Sequence, residues 1–158
     1  MNINNFWPQE TRTLPTTNEV LKTWEKTWDL KLPRLLKDLY MIHNGTIDSI
    51  GELDNMYPID DDSFSPSELK ENVSDLYDCF ISNEDYKEDI IKLIKDLRNQ
   101  DLITPFASYG SYILCLDWNA NGRNNEPEIG LFSWNIENDF WYKIKEKSLT
   151  DYLKKIKL

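Results

Sequence analysis

Apolar residues in the first hundred positions recur every three or four residues, which is the spacing of one face of an α-helix. Thr16 and Glu19 are spaced as a capping box, and Val20, Trp24 and Trp28 follow at intervals of four. We therefore predict a first helix that begins after Thr16 and turns these three apolar side chains toward the core.

A second helix is predicted after Pro33, because proline is tolerated in the first turn of a helix. Asn44 and Gly45 are expected to end it, since both residue types accept the left-handed backbone of a C-terminal cap. The residues with helical spacing between these two signals are Leu35, Leu36, Leu39, Tyr40 and His43.

Two more helices are indicated in the middle of the chain. Ser65, followed by Pro66 and then by Glu68 three positions after the serine, is a strong helix start. The apolar stripe of this helix is Leu69, Val73, Leu76 and Phe80. A further helix, from about Asn83 to Asn99, has the stripe Tyr86, Ile90, Ile94 and Leu97. Both helices carry acidic residues between their apolar positions, so much of that charge must point outward.

The spacing changes after Asp101, where β-branched and aromatic residues form short runs separated by turn signals. The predicted strands are Leu102–Phe106, Tyr112–Leu116, Ile129–Trp134 and Phe140–Ile144, preceded by short extended pieces at Ile47–Leu53 and Met56–Ile59. Ser148 then caps a final helix. Helices, consecutive strands and a last helix indicate an α+β class. We expect one domain over residues 1–158, with a largely antiparallel sheet of about five to six strands flanked by helices.

The first fourteen residues are predicted to form an N-terminal arm that Phe6 and Trp7 pin to the domain. Hydrophobic residues make up 40% of the 158 residues and aromatic residues 13%, which is enough bulk for a packed core.

Three stretches of the chain resemble the SUKH superfamily, which includes yeast cell-wall regulators of the Smi/Knr type and many bacterial toxin-immunity proteins. The first is LKLPRLLKDLYMIHNG, in which Leu32-Pro33 and Asn44-Gly45 match the family's helix, Leu-Pro, helix and Asn-Gly turn. The second is ITPFASYGSYILCLDW, similar to the family's Pro-Phe-Ala strand, polar turn and Leu-Asp strand end. The third, PEIGLFSWNIENDFWYKIKEKSLTDYLKKI, resembles its closing hairpin and terminal helix.

The resemblance runs from Thr17 to Ile156 in element order, with two departures. These are the long acidic helical insert before Ile103 and the Asn-rich loop after Asp117. The resemblance implies a non-enzymatic protein-binding domain without a cofactor. For the bacterial members it implies an immunity protein that occupies and blocks a cognate toxin, often a nuclease. For the eukaryotic members it implies a regulatory scaffold, which is the alternative function.

The acidic residues are concentrated in one segment. Residues 48–89 contain fourteen Asp and Glu but only two basic residues, so the segment has a net charge of −12 while the whole chain has −10. This charge repels nucleic acid and anionic lipid and attracts a basic protein, although a solvated surface that keeps the protein soluble is the simpler interpretation. Nuclease grooves must be basic to hold phosphate, so charge and resemblance separately favour a basic toxin as the partner.

Eight carboxylates in this segment are predicted to steer the partner: Asp60, Asp61, Asp62, Asp75, Asp78, Glu84, Asp85 and Glu88. Tyr57 and Phe64 are predicted as aromatic anchors, because they lie inside the acidic stretch and outside the clearest core stripes. Trp118, next to the Asn-rich loop, is a third predicted anchor. No direct nucleic-acid binding and no membrane partner are expected.

The sequence also predicts a soluble cytoplasmic protein. No stretch reaches the ~18 apolar residues of a membrane span, and the start MNINNFWPQE lacks the basic and apolar regions of a secretion signal. Cys79 and Cys115 lie far apart and in no metal-type spacing, which favours buried free thiols in a reducing compartment.

Two other motifs compete with the binding interpretation. A calcium loop fits the segment that starts at Asp117, with the ligand set Asp117, Asn119, Asn121 and Glu128. Strand-like flanks and Arg123 at the carbonyl-donating position make a plain hairpin loop the preferred interpretation. The only histidine, His43, lies at a helix end, where packing or capping is favoured over catalysis. No catalytic residue and no cofactor are predicted.

Overall fold

A computed structural model describes residues 6–7, 13–46, 53–135 and 139–156, with the side chains of 134, 135 and 139 excepted. The helices of this part are α1 (Asn18–Trp28), α2 (Arg34–Tyr40), α3 (Pro66–Phe80), α4 (Lys87–Leu97) and α5 (Leu149–Lys155). The strands are β1 (Asn55–Met56), β2 (Ile103–Tyr109), β3 (Tyr112–Asp117), β4 (Glu128–Asn135) and β5 (Asp139–Glu146). The α+β prediction is confirmed, and the four predicted C-terminal strands are all present.

The sheet has the order β1-β2-β3-β4-β5, and every neighbouring pair is antiparallel. Successive side chains of a strand point to opposite faces, so β3 places Leu114 and Leu116 on one face and Ile113 and Cys115 on the other. The first face packs in one core cluster with residues of α1, α2 and α5. The second face packs in another cluster with residues of α3 and α4. The sheet is therefore covered by helices on both sides.

Helix α1 begins one residue later than predicted. Thr17, not Thr16, is the N-cap, and its hydroxyl accepts a hydrogen bond from the Val20 backbone N–H at 3.2 Å. Trp24 is buried as predicted, but Val20 is 37% exposed and Trp28 is half-buried. The buried face of α1 centres on Leu21 and Trp24. This face is rotated about the helix axis from the predicted one, so Trp28 remains partly exposed to solvent.

Helix α3 begins as predicted. The Ser65 hydroxyl accepts from the Glu68 backbone N–H at 3.3 Å and donates to the Asp62 carbonyl at 3.0 Å. The same side chain therefore caps the helix and ties the preceding turn to it.

We expect Ser65→Ala to lower the free energy of unfolding by about 1 kcal/mol, because the capping bond is lost. Urea unfolding checks this value. Ser67→Ala is the matched control, since Ser67 is an exposed serine two positions further on and makes no capping bond. Equal losses in both variants would contradict the capping role.

Helix α4 begins at Lys87, not at Asn83 as predicted. The Asn83 side chain accepts from the Asp85 backbone N–H at 3.0 Å, which holds residues 83–86 in a turn. The buried residues of α4 are Ile90, Leu93 and Leu97. Tyr86 and Ile94 are only half-buried, so the predicted stripe was correct at two of its four positions.

The segment between α2 and α3 also differs from the prediction. Helix α2 ends at Tyr40, before the Asn-Gly pair, and β1 begins at Asn55, one residue earlier than expected. Gly45 has φ +77°, and a Cβ there would lie 2.8 Å from the Pro58 nitrogen, so only glycine fits this close backbone approach. Most of the predicted Ile47–Leu53 strand lies outside the described residues.

The structure describes Phe6, Trp7, Thr13 and Leu14 of the predicted N-terminal arm, and the arm itself stays a prediction. Phe6 and Trp7 are buried, and the Trp7 indole N–H donates to the Leu39 carbonyl at 2.9 Å. The cysteines are both free, but only Cys115 is buried. The prediction of two buried thiols was therefore wrong for Cys79, which lies on the outer side of α3.

Candidate protein-interaction surface

The eight carboxylates predicted to steer a partner are all exposed in the structure. Within the described ranges, none of the acids from Asp54 to Asp89 forms an ion pair. The ion pair nearest in sequence joins Lys70 to Asp101 and so takes up one of the segment's two lysines. The described part of the chain therefore leaves these acids without ion-pair partners. That these acids bind a partner stays a prediction.

Helix α3 arranges four acids in one row. Glu68, Glu71, Asp75 and Asp78 are spaced by three, four and three residues, which places them on one side of the helix. Leu69 lies on the opposite, buried side. We call this row the acidic ridge. At a rise of about 1.5 Å per residue, Glu68 and Asp78 are about 15 Å apart along the helix, so the ridge presents a line of negative charge rather than a point.

The ridge adds two acids that were not among the predicted steering residues. Charge density alone does not distinguish Glu68 and Glu71 from the other acids of residues 48–89. The same three-and-four periodicity that located the buried stripe of α3 could have found them.

The turn at residues 60–62 leads directly into the ridge. The Asn44 side-chain amide donates to Asp60 Oδ1 at 2.7 Å, and Asn44 Oδ1 accepts from the Ile59 backbone N–H at 2.8 Å. Asp61 Oδ1 accepts from the Ser63 backbone N–H at 2.8 Å. These bonds give the three aspartates a defined backbone position at the N-terminal end of α3.

A groove lies between α1 and residues 59–71. One part, of about 450 Å³, is lined by Trp24, Trp28, Ile59, Asp60, Asp61, Asp62, Phe64, Ser65, Ser67, Glu68 and Glu71. The adjoining part, of about 420 Å³, is lined by Glu19, Val20, Thr23, Trp24, Thr27, Trp28, Ile59 and Asp60. The two parts share both tryptophans, so they form one continuous depression. We call it the α1–α3 groove.

Two predicted anchors belong to the core instead. Phe64 is 1% exposed, and its ring packs edge-on against Trp24 with the two ring centres 5.4 Å apart. Trp118 is 0% exposed, and its indole N–H donates to the Lys31 carbonyl at 3.0 Å. A side chain without exposed surface cannot contact a partner, so the prediction was wrong for both residues. They support the groove from below.

Tyr57 occupies an intermediate position. It is half-buried and lines a smaller cavity of about 190 Å³ together with Glu68, Asn72 and Ser108. Burial raises the pKa of its phenol to about 12, with smaller contributions from nearby charges such as Glu68. Its role as an anchor stays a prediction, because part of the ring remains accessible from this cavity.

The segment that fits a calcium loop connects β3 to β4 as a hairpin loop. Asp117 and Glu128 face each other at the ends of β3 and β4, so the flanks are strands rather than helices. The Asn119 side-chain oxygen accepts from the Asn99 backbone N–H at 3.1 Å, and the Asn121 amide donates to the Glu126 carbonyl at 2.9 Å. This arrangement disfavours the calcium alternative, because the side chains hold the loop together instead of converging on one point.

The Asp117 carboxylate is part of a buried network. Asp117 is 1% exposed, and its Oδ2 accepts from the Tyr142 hydroxyl at 2.6 Å. Its Oδ1 accepts from the Asn119 backbone N–H at 2.8 Å, and Arg98 lies 3.6 Å from Oδ2. To reach Asp117, the Tyr142 ring crosses Gly130 on the strand between them. This carboxylate is structural, and its charge is balanced inside the chain.

His43 has the packing role that its position predicted. It is 9% exposed, and its Nδ1 lies 2.7 Å from the Thr13 carbonyl oxygen. Its ring meets Trp7 edge-on at 5.8 Å. Among the described residues, no three His, Cys, Asp or Glu side chains cluster as metal ligands. In the same part of the chain, no helix is both long and apolar enough to cross a membrane.

These features define an α+β domain whose antiparallel sheet is sandwiched by helices and whose outer helix carries an acidic ridge beside a groove. A family model described as SMI1 / KNR4 family (SUKH-1) matches residues 15–155. The chain belongs to this family, which confirms the resemblance noted from the sequence. A comparison with curated proteins finds no match.

Proposed function

We propose that this protein is an immunity-type binding domain that neutralises a cognate basic toxin in the cytoplasm by covering its active surface. The observation that carries the proposal is the set of eight exposed carboxylates without an ion-pair partner in the described part of the chain. Membership of a family that resemblance links to toxin immunity supports the same role.

The first step of the mechanism is electrostatic. Unpaired acids along the ridge and the 60–62 turn produce a negative potential that attracts a positively charged protein before contact. A nuclease must hold phosphate in a basic groove, so its active surface is the part of the toxin that this potential orients toward the ridge.

The second step is occlusion. The carboxylate row from Glu68 to Asp78, about 15 Å long, can occupy positions that the phosphates of a nucleic acid would otherwise fill. Inhibition then requires no chemical transformation by this protein, only a complex that dissociates slowly. This is why we assign a non-enzymatic function.

Neutralising the steering carboxylates is expected to slow association with the partner. With all eight replaced by Asn or Gln, the association rate at low salt falls about tenfold or more, and its dependence on salt becomes weaker. Stopped-flow mixing with the captured partner, repeated across a salt series, measures both quantities.

Two triple variants that remove the same number of negative charges distinguish steering by the predicted surface from a general effect of net charge. Asp75→Asn, Asp78→Asn and Glu84→Gln remove three exposed acids of the predicted surface. The control set Asp29→Asn, Asp38→Asn and Glu126→Gln removes three exposed acids elsewhere. Equal rates and equal salt slopes for the two sets would show that the acids of the predicted surface do not steer the partner.

The partner is sought by co-purification with the product of the neighbouring gene. A single basic protein whose toxicity is lost in the complex supports immunity. Several unrelated cellular partners, with no loss of toxicity, would instead indicate a regulatory scaffold of the Smi/Knr type.

A further inference from the structure

We propose that the α1–α3 groove is the docking site for a basic segment of the partner in which an arginine or lysine stands beside an apolar side chain. This assignment rests on the proposed function, because it names the part of the surface that the partner enters. It gives a binding role to Glu19, Glu68, Glu71 and Trp28, none of which was expected to contact a partner.

The charge of the groove favours a cation. Carboxylates stand on both of its walls: Glu19 on α1, and Glu68 and Glu71 on α3. The 60–62 turn adds three more, and none of the described residues that line either part of the groove is a lysine or an arginine. Like charges around a concave surface with low-dielectric walls focus the field into it, so a positive group gains more here than on an open face.

The floor of the groove favours a planar or elongated cation with an apolar neighbour. Trp28 is half-buried and lines both parts, so its ring is accessible from the groove. Arginine and lysine bind well over the face of an indole. Val20, which is exposed, and Ile59 make the α1 side of the groove apolar. A segment with a cationic side chain and an adjacent apolar side chain can therefore place the cation over the Trp28 ring and the apolar group against the α1 side of the groove.

One hydrogen bond joins the two walls of the groove, since the Trp24 indole N–H on α1 donates to the Phe64 carbonyl at 2.8 Å. A second bond, from the Asn44 side-chain amide to Asp60 Oδ1, holds the 60–62 turn in place. A site that is already formed avoids part of the entropic cost of ordering on binding. Each part of the groove has a volume typical of ligand pockets, so together they have room for several residues of a partner segment.

A protein segment fits the groove better than a metal ion does. The carboxylates of the groove lie on opposite walls, and among the described residues no three of them converge as metal ligands. A divalent ion needs several oxygens within one coordination sphere, whereas the guanidinium of an arginine can bridge separated carboxylates through its fork of N–H donors.

Titration of the full chain with a blocked peptide, acetyl-Gly-Arg-Leu-Arg-Gly-amide, tests the assignment by NMR. We expect saturable shifts of the Trp28 indole N–H and of the backbone amides of residues 59–71. The double variant Glu68→Gln/Glu71→Gln is expected to bind the peptide about tenfold more weakly. The acidic peptide with Glu in place of both Arg is expected to cause no shifts.

The matched control is Asp38→Asn/Glu126→Gln, which removes the same charge at two exposed acids outside the predicted surface. Neither residue lines the groove, so we expect the peptide affinity of this control to change less than about twofold. Equal weakening in both double variants overturns the assignment, as do shifts spread evenly over α3 and α4. Shifts produced equally by magnesium or by self-association at higher protein concentration also overturn it.

Measurements with the captured toxin distinguish this inference from the proposed function. If Glu68→Gln/Glu71→Gln leaves toxin affinity unchanged while Asp75→Asn/Asp78→Asn/Glu84→Gln slows association, the groove assignment fails and the proposed function stands. If the peptide fills the groove but no toxin is neutralised, the proposed function fails and the groove assignment stands. Both double variants replace accessible side chains, so their amide spectra are expected to report an intact fold.

Discussion

Gly130→Ala is expected to lower the free energy of unfolding by about 2–5 kcal/mol, through overpacking and the loss of a buried hydrogen bond. A Cβ at this position would lie 2.5 Å from the Tyr142 Cζ atom, which is far inside van der Waals contact. The ring must therefore move, and its hydroxyl then leaves the Asp117 carboxylate. Urea unfolding of the variant measures the loss.

A double-mutant cycle identifies the cause of this destabilisation. Tyr142→Phe alone is expected to cost about 1.5–3 kcal/mol, because the hydroxyl donates to a charged acceptor. In the Gly130→Ala background that bond is already broken, so the same substitution is expected to cost almost nothing further. Additive effects would show that Gly130 does not act through Tyr142.

Gly110→Ala serves as the steric control for this cycle. Nothing lies within 4 Å of a Cβ at Gly110, and its φ of +55° predicts a cost of about 1–2 kcal/mol from backbone strain alone. Combined with Tyr142→Phe, it is expected to behave additively, since the two residues share no contact.

Alkaline pH is expected to destabilise the folded protein through its buried phenols and its buried thiol. Burial raises the pKa of the Tyr40 and Tyr142 phenols and of the Cys115 thiol above their ordinary values of 10.0 and 9.0. Burial likewise raises the pKa of Tyr57 to about 12. The folded state therefore holds these protons in a pH range where the unfolded chain releases them.

The sign of the effect follows from proton linkage. Below about pH 9 these groups are neutral in both states, and the stability they contribute is fully present. As the pH rises through 9 and 10, the unfolded state binds fewer protons than the folded state, so the free energy of unfolding falls. It continues to fall until the folded-state pKa values are passed.

Urea unfolding at a series of pH values, read together with the ultraviolet absorbance of tyrosinate, checks this prediction. We expect the phenols of Tyr40 and Tyr142 to ionise only as the fold is lost, in one cooperative step. Tyr57→Phe is expected to reduce the loss of stability between pH 10 and 12, whereas Tyr77→Phe, at an exposed position, is the matched control. Full ionisation of all tyrosines with no loss of stability would contradict the role of burial.

The parts of the fold that were predicted correctly depend on local interactions. Ser65 and Ser148 cap their helices through bonds that reach only three residues, so the short sequence around each serine contains the whole signal. The four C-terminal strands were predicted because their β-branched and aromatic runs alternate with clear turns. Thr16 and Thr17 show the limit of local signals for locating the start of a helix. Either threonine could cap α1, and only packing with the rest of the chain selects Thr17.

The candidate surface was predicted in its charge but not in its shape. Exposure of the acids followed from their places between apolar positions of α3 and α4. The burial of Phe64 and Trp118 could not be predicted in this way, because it depends on long-range contacts with Trp24. The contact with Phe64 spans 40 residues, and the contact with Trp118 joins α1 to the end of β3. The groove arises from the same long-range packing, so no local pattern could reveal it.

The contact between Trp24 and Trp118 beneath the groove also links formation of the groove to the order of synthesis. Both walls lie within the first 71 residues, yet Trp24 packs against Trp118 with ring centres 6.4 Å apart. On the ribosome, the nascent chain presents both walls before the strand that supports them has been translated. We therefore expect the groove to form late, after β3 has left the exit tunnel, so that a half-made chain carries the acidic residues but not the shaped groove.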